Sequence, residues 1–400
     1  MLKKDTPAQA PDPGDRFALE RRRFLAEGTA GAGAFGILAA LGIDRSTYAQ
    51  QSAPPAAGPG PGAGAGGPPA GGPAAGGPGA GGRPPRPPEP KVSQPAPLHS
   101  LKGKVAYITA SSDGIGLGIA RAASNAGMKV CIGYRQEDRL KAALPLFKPK
   151  NAGILPIKHD VTDRDGWAQV LEKIKSEYGK VHLVVNNAGA KTLTKVSQAK
   201  FDEWDNAVAV NFTATYNSVA AFLPHMLEHG EGSQIVVTSS MSGLLPGVTA
   251  GVYTATKIAV VGLIEALRIE LEGTTVGTSA FCPGGVNTDN YTGTGMENPW
   301  RKAHPFGRPR RPGPVVIMDP LEVGERVLNG VVHNDLFIIT HPEYMPGTQQ
   351  RFDAMLGSEP VEPFPEDRAR GETPVLHAGI YPREIAHRRK KRQSYRTVTV

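Results

Sequence analysis

A phenol and an ammonium stand four residues apart at Tyr253 and Lys257, and the hydroxyl of Ser240 lies thirteen residues before Tyr253. A free phenol titrates near pH 10 (about 10), so it exchanges protons at neutrality only when a nearby cation favours its ionised form. Lys257 supplies such a cation if both residues lie on one helix, where positions four apart are neighbours. Tyrosine and lysine at this spacing are also common as idle surface pairs, so the chemistry depends on the elements that position them.

Those elements are readable on either side. Ile235, Val236 and Val237 form an apolar, β-branched run suited to a buried parallel strand, whose carboxyl end delivers Ser239 and Ser240 to the edge where such sheets bind ligands. Beyond a loop, Val260, Leu263, Ile264, Leu267 and Leu271 keep one apolar face at helical spacing, which predicts a helix carrying Tyr253 and Lys257. Upstream, residues 104–109 read as a strand, 110–114 as a turn, 115–126 as a helix and 129–134 as a second strand. In such a βαβ unit, glycines in the first turn let the backbone approach a pyrophosphate at the helix N-terminus, where amide hydrogens favour anions. Ala110 enters that turn with a methyl group that fits at negative φ. After the second strand come Tyr134 and Arg135; an acid there would hold the ribose hydroxyl of NAD, whereas arginine accommodates the 2′-phosphate of NADP. Arg135 therefore favours NADP, and Asp113 in the phosphate turn acts against it.

Further strands are predicted over residues 154–159, before Asn186, over 277–281 and over 336–340, with helices over 163–178 and 320–332 and one containing Phe201, Trp204 and Val208. The pattern is an α/β, Rossmann-type doubly wound sheet of about seven parallel strands flanked by helices.

Six motifs in order carry a resemblance: the Thr109 to Gly116 turn, Asp160-Val161, the Asn186-Asn187-Ala188-Gly189 turn, Asn211-Phe212-Thr213-Ala214-Thr215, the Ser240, Tyr253, Lys257 set, and Pro283-Gly284-Gly285-Val286-Asn287-Thr288. Over residues 101–345 the chain resembles the short-chain dehydrogenases/reductases. The resemblance implies an NAD(P)-dependent oxidoreductase that moves a hydride between nicotinamide and a secondary alcohol or ketone, and a homo-oligomer. Tyr253 would move the hydroxyl proton, Lys257 lower its pKa and bind ribose, Ser240 orient and polarise the substrate oxygen, and Asn211 support the lysine through water. Thr109, Ser111, Ser112, Gly114, Ile115 and Gly116 would hold the phosphates, Arg135 the adenosine ribose side, and Asp160 and Val161 the adenine. Asn187, Ala188 and Gly189, with Tyr253 and Lys257, would line the middle of the cofactor, and Pro283, Gly284, Val286 and Thr288 its nicotinamide carboxamide. At residues 289–319, rich in proline, arginine and aromatic side chains, the family carries its variable substrate lid. His341-Pro342-Glu343-Tyr344 is similar to members that act on aryl or benzylic alcohols. The competing class is a non-catalytic dinucleotide sensor on the same fold.

A formal net charge of +8 would suit a nucleic-acid partner, but basic residues gather at 301–311 and 388–392, outside the strand and helix pattern, and read as solvated loop and tail. Two cysteines make no disulfide framework; Cys131 and Cys282 fall in apolar strands, and the histidines show no metal-ligand spacing. Residues 1–49 contain Arg21-Arg22-Arg23-Phe24-Leu25, a short Gly/Ala-rich apolar run and small residues before Ala49, a layout that resembles a twin-arginine signal peptide. That reading implies the export machinery as a partner and a periplasmic location, or a cytoplasmic one if the signal is not used. Residues 50–99 are a disordered Pro/Gly/Ala-rich linker, 100–345 the catalytic domain and 346–400 an irregular basic tail.

Overall fold

The computed structural model describes residues 96–147, 153–247, 250–288, 317–361, 365–366 and 378–392. The export signal, nearly all of the linker and almost the whole lid segment expected above lie outside these residues.

Seven strands form one parallel sheet in the order β3-β2-β1-β4-β5-β6-β7: β1 Val105–Ile108, β2 Lys129–Tyr134, β3 Ile154–Lys158, β4 Leu183–Asn186, β5 Ser233–Thr238, β6 Val276–Cys282 and β7 Phe337–Ile339. Every residue of β1, β4, β5 and β6 is buried, as helices on both faces require, which is why these strands read as continuous apolar or small-residue runs. Alternation along β1 sends Val105 and Tyr107 to one core and Ala106 and Ile108 to the other. The chain works outward from β1 to β3 and then crosses back to β4, so a crevice opens at the carboxyl ends of β1 and β4, the usual ligand position in such sheets.

The helices are α1 Gly114–Asn125, α2 Glu137–Ala143, α3 Gly166–Tyr178, α4 Phe201–Val208, α5 Ala214–His229, α6 Gly251–Glu270, α7 Pro320–Val332, α8 Met345–Leu356 and α9 Ile380–Arg392. Helices α1 and α7 cross so closely that a Cβ on Gly118 would lie 1.9 Å from the Pro320 carbonyl oxygen. This contact fixes α1, and with it the phosphate turn, against the sheet.

The irregular tail expected over residues 346–400 is corrected by α8 and α9. Helix α9 buries Ile380 and docks through polar contacts: the Tyr381 hydroxyl donates to Glu265, Arg383 pairs with Glu272, Glu384 accepts from the Leu336 N–H and His387 meets Asp335 at 3.0 Å. A helix held by ion pairs rather than an apolar stripe carries no hydrophobic period by which to recognise it.

Three histidines gather at the amino edge of the sheet. His182 accepts the Val105 N–H on Nδ1 at 3.2 Å and donates from Nε2 to Glu231 at 2.9 Å. His225 accepts the Val181 N–H at 3.3 Å, and His229 accepts the Glu231 N–H at 3.1 Å while bonding the Val181 carbonyl through Nε2. Each ring thus presents an acceptor nitrogen to a backbone donor, which only the neutral form can do. Burial is the main influence pulling His182 and His225 below the ordinary value; His229 and Lys104 or Lys175 add to it, while Glu231 opposes it at His182 and Glu228 and Glu172 oppose it at His225. With folded values depressed, this contribution to stability is present above about pH 6.5 and is lost as pH falls through the folded values. Urea midpoints should therefore fall between pH 7 and pH 5 (about two pH units of acidification), less so in His225→Gln. Midpoints that ignore pH over that range would contradict the neutral-histidine reading.

Candidate active site

The end of β5, the tight turn Met241–Gly243 and the first turns of α6 are locked together. Ser239 Oγ donates to the Lys257 carbonyl at 2.7 Å, and Lys257 Nζ donates to the Thr238 carbonyl at 2.7 Å. A Cβ on Gly243 would lie 2.6 Å from the Lys257 carbonyl oxygen, so only glycine allows the turn this close to α6. Ser240, extended at φ −170°, accepts the Ser242 N–H on Oγ at 3.1 Å, and its side chain is close enough to Tyr253 to favour the ionised phenol. Lys257 Nζ sits 5.5 Å from the Tyr253 ring centroid. Ser240, Tyr253 and Lys257 therefore converge at the carboxyl edge of the sheet.

Burial, the dominant influence, pushes the Tyr253 phenol above its ordinary value; the neighbouring Ser240 side chain pulls the other way but does not prevail. Burial also draws Lys257 down to about 8. The ammonium is turned toward the Thr238 carbonyl.

Asn211 lies in a π-helical turn, Ala209–Thr213, between α4 and α5. Its Oδ1 accepts the Ala190 N–H at 2.8 Å, and its Nδ2 donates to the Ala190 carbonyl at 2.9 Å and to Thr256 Oγ1 at 3.0 Å. The amide thereby ties residues 189–190 to α6 one residue before Lys257. π-Turns of this kind are frequent at functional sites.

The cofactor-side residues fall into two groups. Thr109 and Ser111 are buried and pin the backbone: Thr109 Oγ1 accepts the N–H groups of Asn187 and Ala188 at 2.8 and 2.9 Å, and Ser111 Oγ donates to the Ile108 carbonyl at 2.7 Å. Their side chains shape the groove from beneath. The second group forms its wall. A Cβ at Gly116 would meet the Ala110 carbonyl oxygen at 2.4 Å and Asn187 Nδ2 at 2.5 Å, and one at Gly114 would lie 3.3 Å from Thr288 Cγ2. One at Gly189 would lie 3.7 Å from Lys257 Nζ. Ser112 and Ile115 are half-buried at the α1 N-terminus, and Val161 is buried beside Asp160. Ala110 adopts φ +48°, not the expected negative value, so the turn imposes on alanine a conformation that favours glycine.

Two ion pairs stand at the adenosine end. Arg135 meets Asp160 at 3.1 Å, and Arg139 on α2 pairs with Asp113, the N-cap of α1. Burial works to raise the Asp160 carboxyl, but the Thr162 N–H and hydroxyl, with Arg135, together hold it below its ordinary value. At the opposite end, the Pro283 carbonyl accepts the Met241 N–H at 2.9 Å, Val286 forms a bridge with Met318, and the Thr288 N–H bonds the Val286 carbonyl at 2.8 Å. A helix N-terminus, glycines with no room for a side chain and exposed arginines suit an elongated, diphosphate-bearing ligand that reaches Lys257 and Tyr253.

Residues 104–298 match the family model described as short chain dehydrogenase. An uncharacterised oxidoreductase of Listeria innocua is 33% identical over 212 residues, covering 51% of this chain and 85% of that protein. The chain belongs to the short-chain dehydrogenase/reductase family. A C alpha-dehydrogenase of Sphingobium sp. is 26% identical over 287 residues, 67% of this chain and 91% of that protein. A glycine betaine reductase of Emericella nidulans is 32% identical over 235 residues; the chain spans 58% of itself there and 18% of that protein. Among solved structures, a short-chain dehydrogenase/reductase of Burkholderia phymatum in complex with NAD matches with a TM-score of 0.57 at 26% identity, over 66% of this chain and 99% of that one. As a family member, the chain is an NAD(P)-dependent oxidoreductase acting on a small molecule, and its fold binds a nicotinamide dinucleotide.

Thr238, Thr256 and Arg139 were not singled out from the sequence. Each acts through a partner distant in the chain or on another element, and its residue type alone carries no signal.

Proposed function

We propose that this short-chain dehydrogenase/reductase interconverts a secondary alcohol and a ketone at an aryl or benzylic carbon, with NADP favoured over NAD. The observation that carries the reaction is the convergence of Ser240 and Tyr253 on the buried Lys257, whose Nζ lies 5.5 Å from the Tyr253 ring centroid. When bound, the nicotinamide supplies or accepts the hydride. Tyr253 and Ser240 bracket the substrate oxygen; the Ser242 N–H fixes Ser240 Oγ so that its own proton can be donated. In ketone reduction the Tyr253 O–H gives its proton to the carbonyl oxygen as the carbonyl carbon gains the hydride, and in alcohol oxidation both transfers reverse. Lys257 stabilises the phenolate left by proton donation, and Asn211 holds α6 and residues 189–190 in register for it. The aryl or benzylic class is supported by the C alpha-dehydrogenase relative and by Tyr344, whose ring lies against Gly284.

The NADP preference rests on Arg135 and Arg139, two guanidinium groups at the adenosine end whose present partners are carboxylates. A 2′-phosphate offers Arg135 a stronger, bidentate acceptor than Asp160. A screen of aryl ketones and benzylic alcohols with both cofactors, read by nicotinamide absorbance, tests the substrate class and direction. In calorimetric titrations NADP should bind more tightly than NAD, and Arg135→Ala should narrow the gap by about tenfold. Tighter binding of NAD, or an unchanged preference in the variant, would reverse the cofactor assignment.

A further inference from the structure

His341 follows the last strand and is buried at 3% exposure, yet both of its ring nitrogens act on a segment more than fifty residues earlier. Nδ1 accepts the Gly284 N–H at 2.9 Å and lies 2.8 Å from Thr340 Oγ1; Nε2 lies 3.0 Å from the Gly285 carbonyl oxygen. The backbone N–H of Gly284 can only donate, so Nδ1 is the acceptor, the ring proton is on Nε2, and Nε2 donates to the Gly285 carbonyl. One imidazole thus grips the donor of the 283–284 peptide and the acceptor of the 285–286 peptide, which fixes those two peptide groups relative to each other.

The packing reinforces the grip. A Cβ at Gly284 would lie 2.7 Å from His341 Cγ and 2.7 Å from Tyr344 Cε2, so the loop rests directly on the two rings, which meet edge to face with centroids 6.4 Å apart. On the other side the Pro283 carbonyl accepts the Met241 N–H, next to Ser240. The loop is therefore held between the end of β7 and the turn that presents the catalytic serine, and His341 supplies side-chain hydrogen bonds to both Gly284 and Gly285.

We propose that His341 is a positioning residue that fixes residues 283–286 for the nicotinamide half of the cofactor, so that this half of the binding energy depends on it and the ADP half does not. The proposal rests on the reading that this loop receives the nicotinamide. It assigns His341 a role distinct from substrate contact, in contrast to the aryl-alcohol resemblance of the same tetrapeptide.

The test compares the parent, His341→Phe and His341→Asn by calorimetric titration with two ligands: the oxidised dinucleotide that the parent binds more tightly, and the matching ADP-ribose fragment that lacks nicotinamide. Phenylalanine keeps the ring volume and loses both hydrogen bonds. The asparagine amide oxygen can take the place of Nδ1 as acceptor for the Gly284 N–H. Dinucleotide affinity should fall about tenfold in His341→Phe, with ADP-ribose affinity unchanged within about twofold, and His341→Asn should recover part of the loss. Equal losses for both ligands, or no loss for the dinucleotide, would overturn the positioning role. Equal parental affinities for the two ligands would instead show that the loop gains nothing from nicotinamide, and the underlying reading would fall with the proposal. Should His341→Phe not fold, the His341→Asn titration decides by the same criterion: a loss confined to the dinucleotide supports the role, and a loss shared by both ligands or absent from both overturns it.

Discussion

Tyr253→Phe should lower turnover by about a thousandfold while leaving dinucleotide affinity within about twofold of the parent. The ring keeps its place on α6 and loses the hydroxyl, the group proposed to pass a proton to the substrate oxygen beside Ser240 and Lys257. Loss of that donor removes the proton transfer and leaves the groove along residues 114–116 and 187–189 unaltered, so the defect belongs in turnover rather than in cofactor binding. Steady-state kinetics on any accepted substrate, paired with titration of the cofactor, separates the two. Turnover by the variant within about tenfold of the parent would remove Tyr253 from the acid role. Weakened cofactor binding with unchanged turnover would make the residue a cofactor contact only.

The central strands and the catalytic helix were legible because parallel strands buried on both faces leave continuous runs such as Ile235, Val236 and Val237, and because a helix records its covered face at three- and four-residue spacing. Residue spacing likewise placed Tyr253 and Lys257 as neighbours. Features set by tertiary surroundings were not legible. The left-handed backbone at Ala110 is imposed by the turn on a residue type that gives no sign of it. The raised phenol of Tyr253 follows from burial, whereas spacing reports only the neighbouring cation. Helix α9 docks through pairs such as Arg383 with Glu272, whose partners are more than a hundred residues apart. Arg139 reaches Asp113 from a different helix, and His341 reaches Gly284 across the end of the sheet. Each is a long-range polar contact, the kind of information that local pattern does not carry.

Lys257→Met should cost about a hundredfold or more in turnover and yet leave the folded protein as stable as the parent at pH 7, or more stable by about 1 kcal/mol. The lysine is 2% exposed, and burial draws its ammonium from an ordinary 10.5 to about 8. A lysine depressed in this way penalises the fold wherever the group is charged: the full penalty applies below the folded value, shrinks as pH rises from about 8 to 10.5, and is absent above the unfolded value. Near neutrality the penalty is on the order of 3 kcal/mol. Methionine fills a similar volume without charge, at the cost of about 1–2 kcal/mol for leaving the Thr238 carbonyl without the donor it now has. The balance favours the variant in stability and the parent in catalysis, where the charge is needed beside a developing phenolate. Urea denaturation at pH 7 and at about pH 9.5 provides the check, because the variant's advantage should diminish at the higher pH as the parent's lysine loses its proton. A variant several kcal/mol less stable than the parent at pH 7 (about 3 or more) would show instead that the ammonium supports the fold and that its burial is not maintained for chemistry.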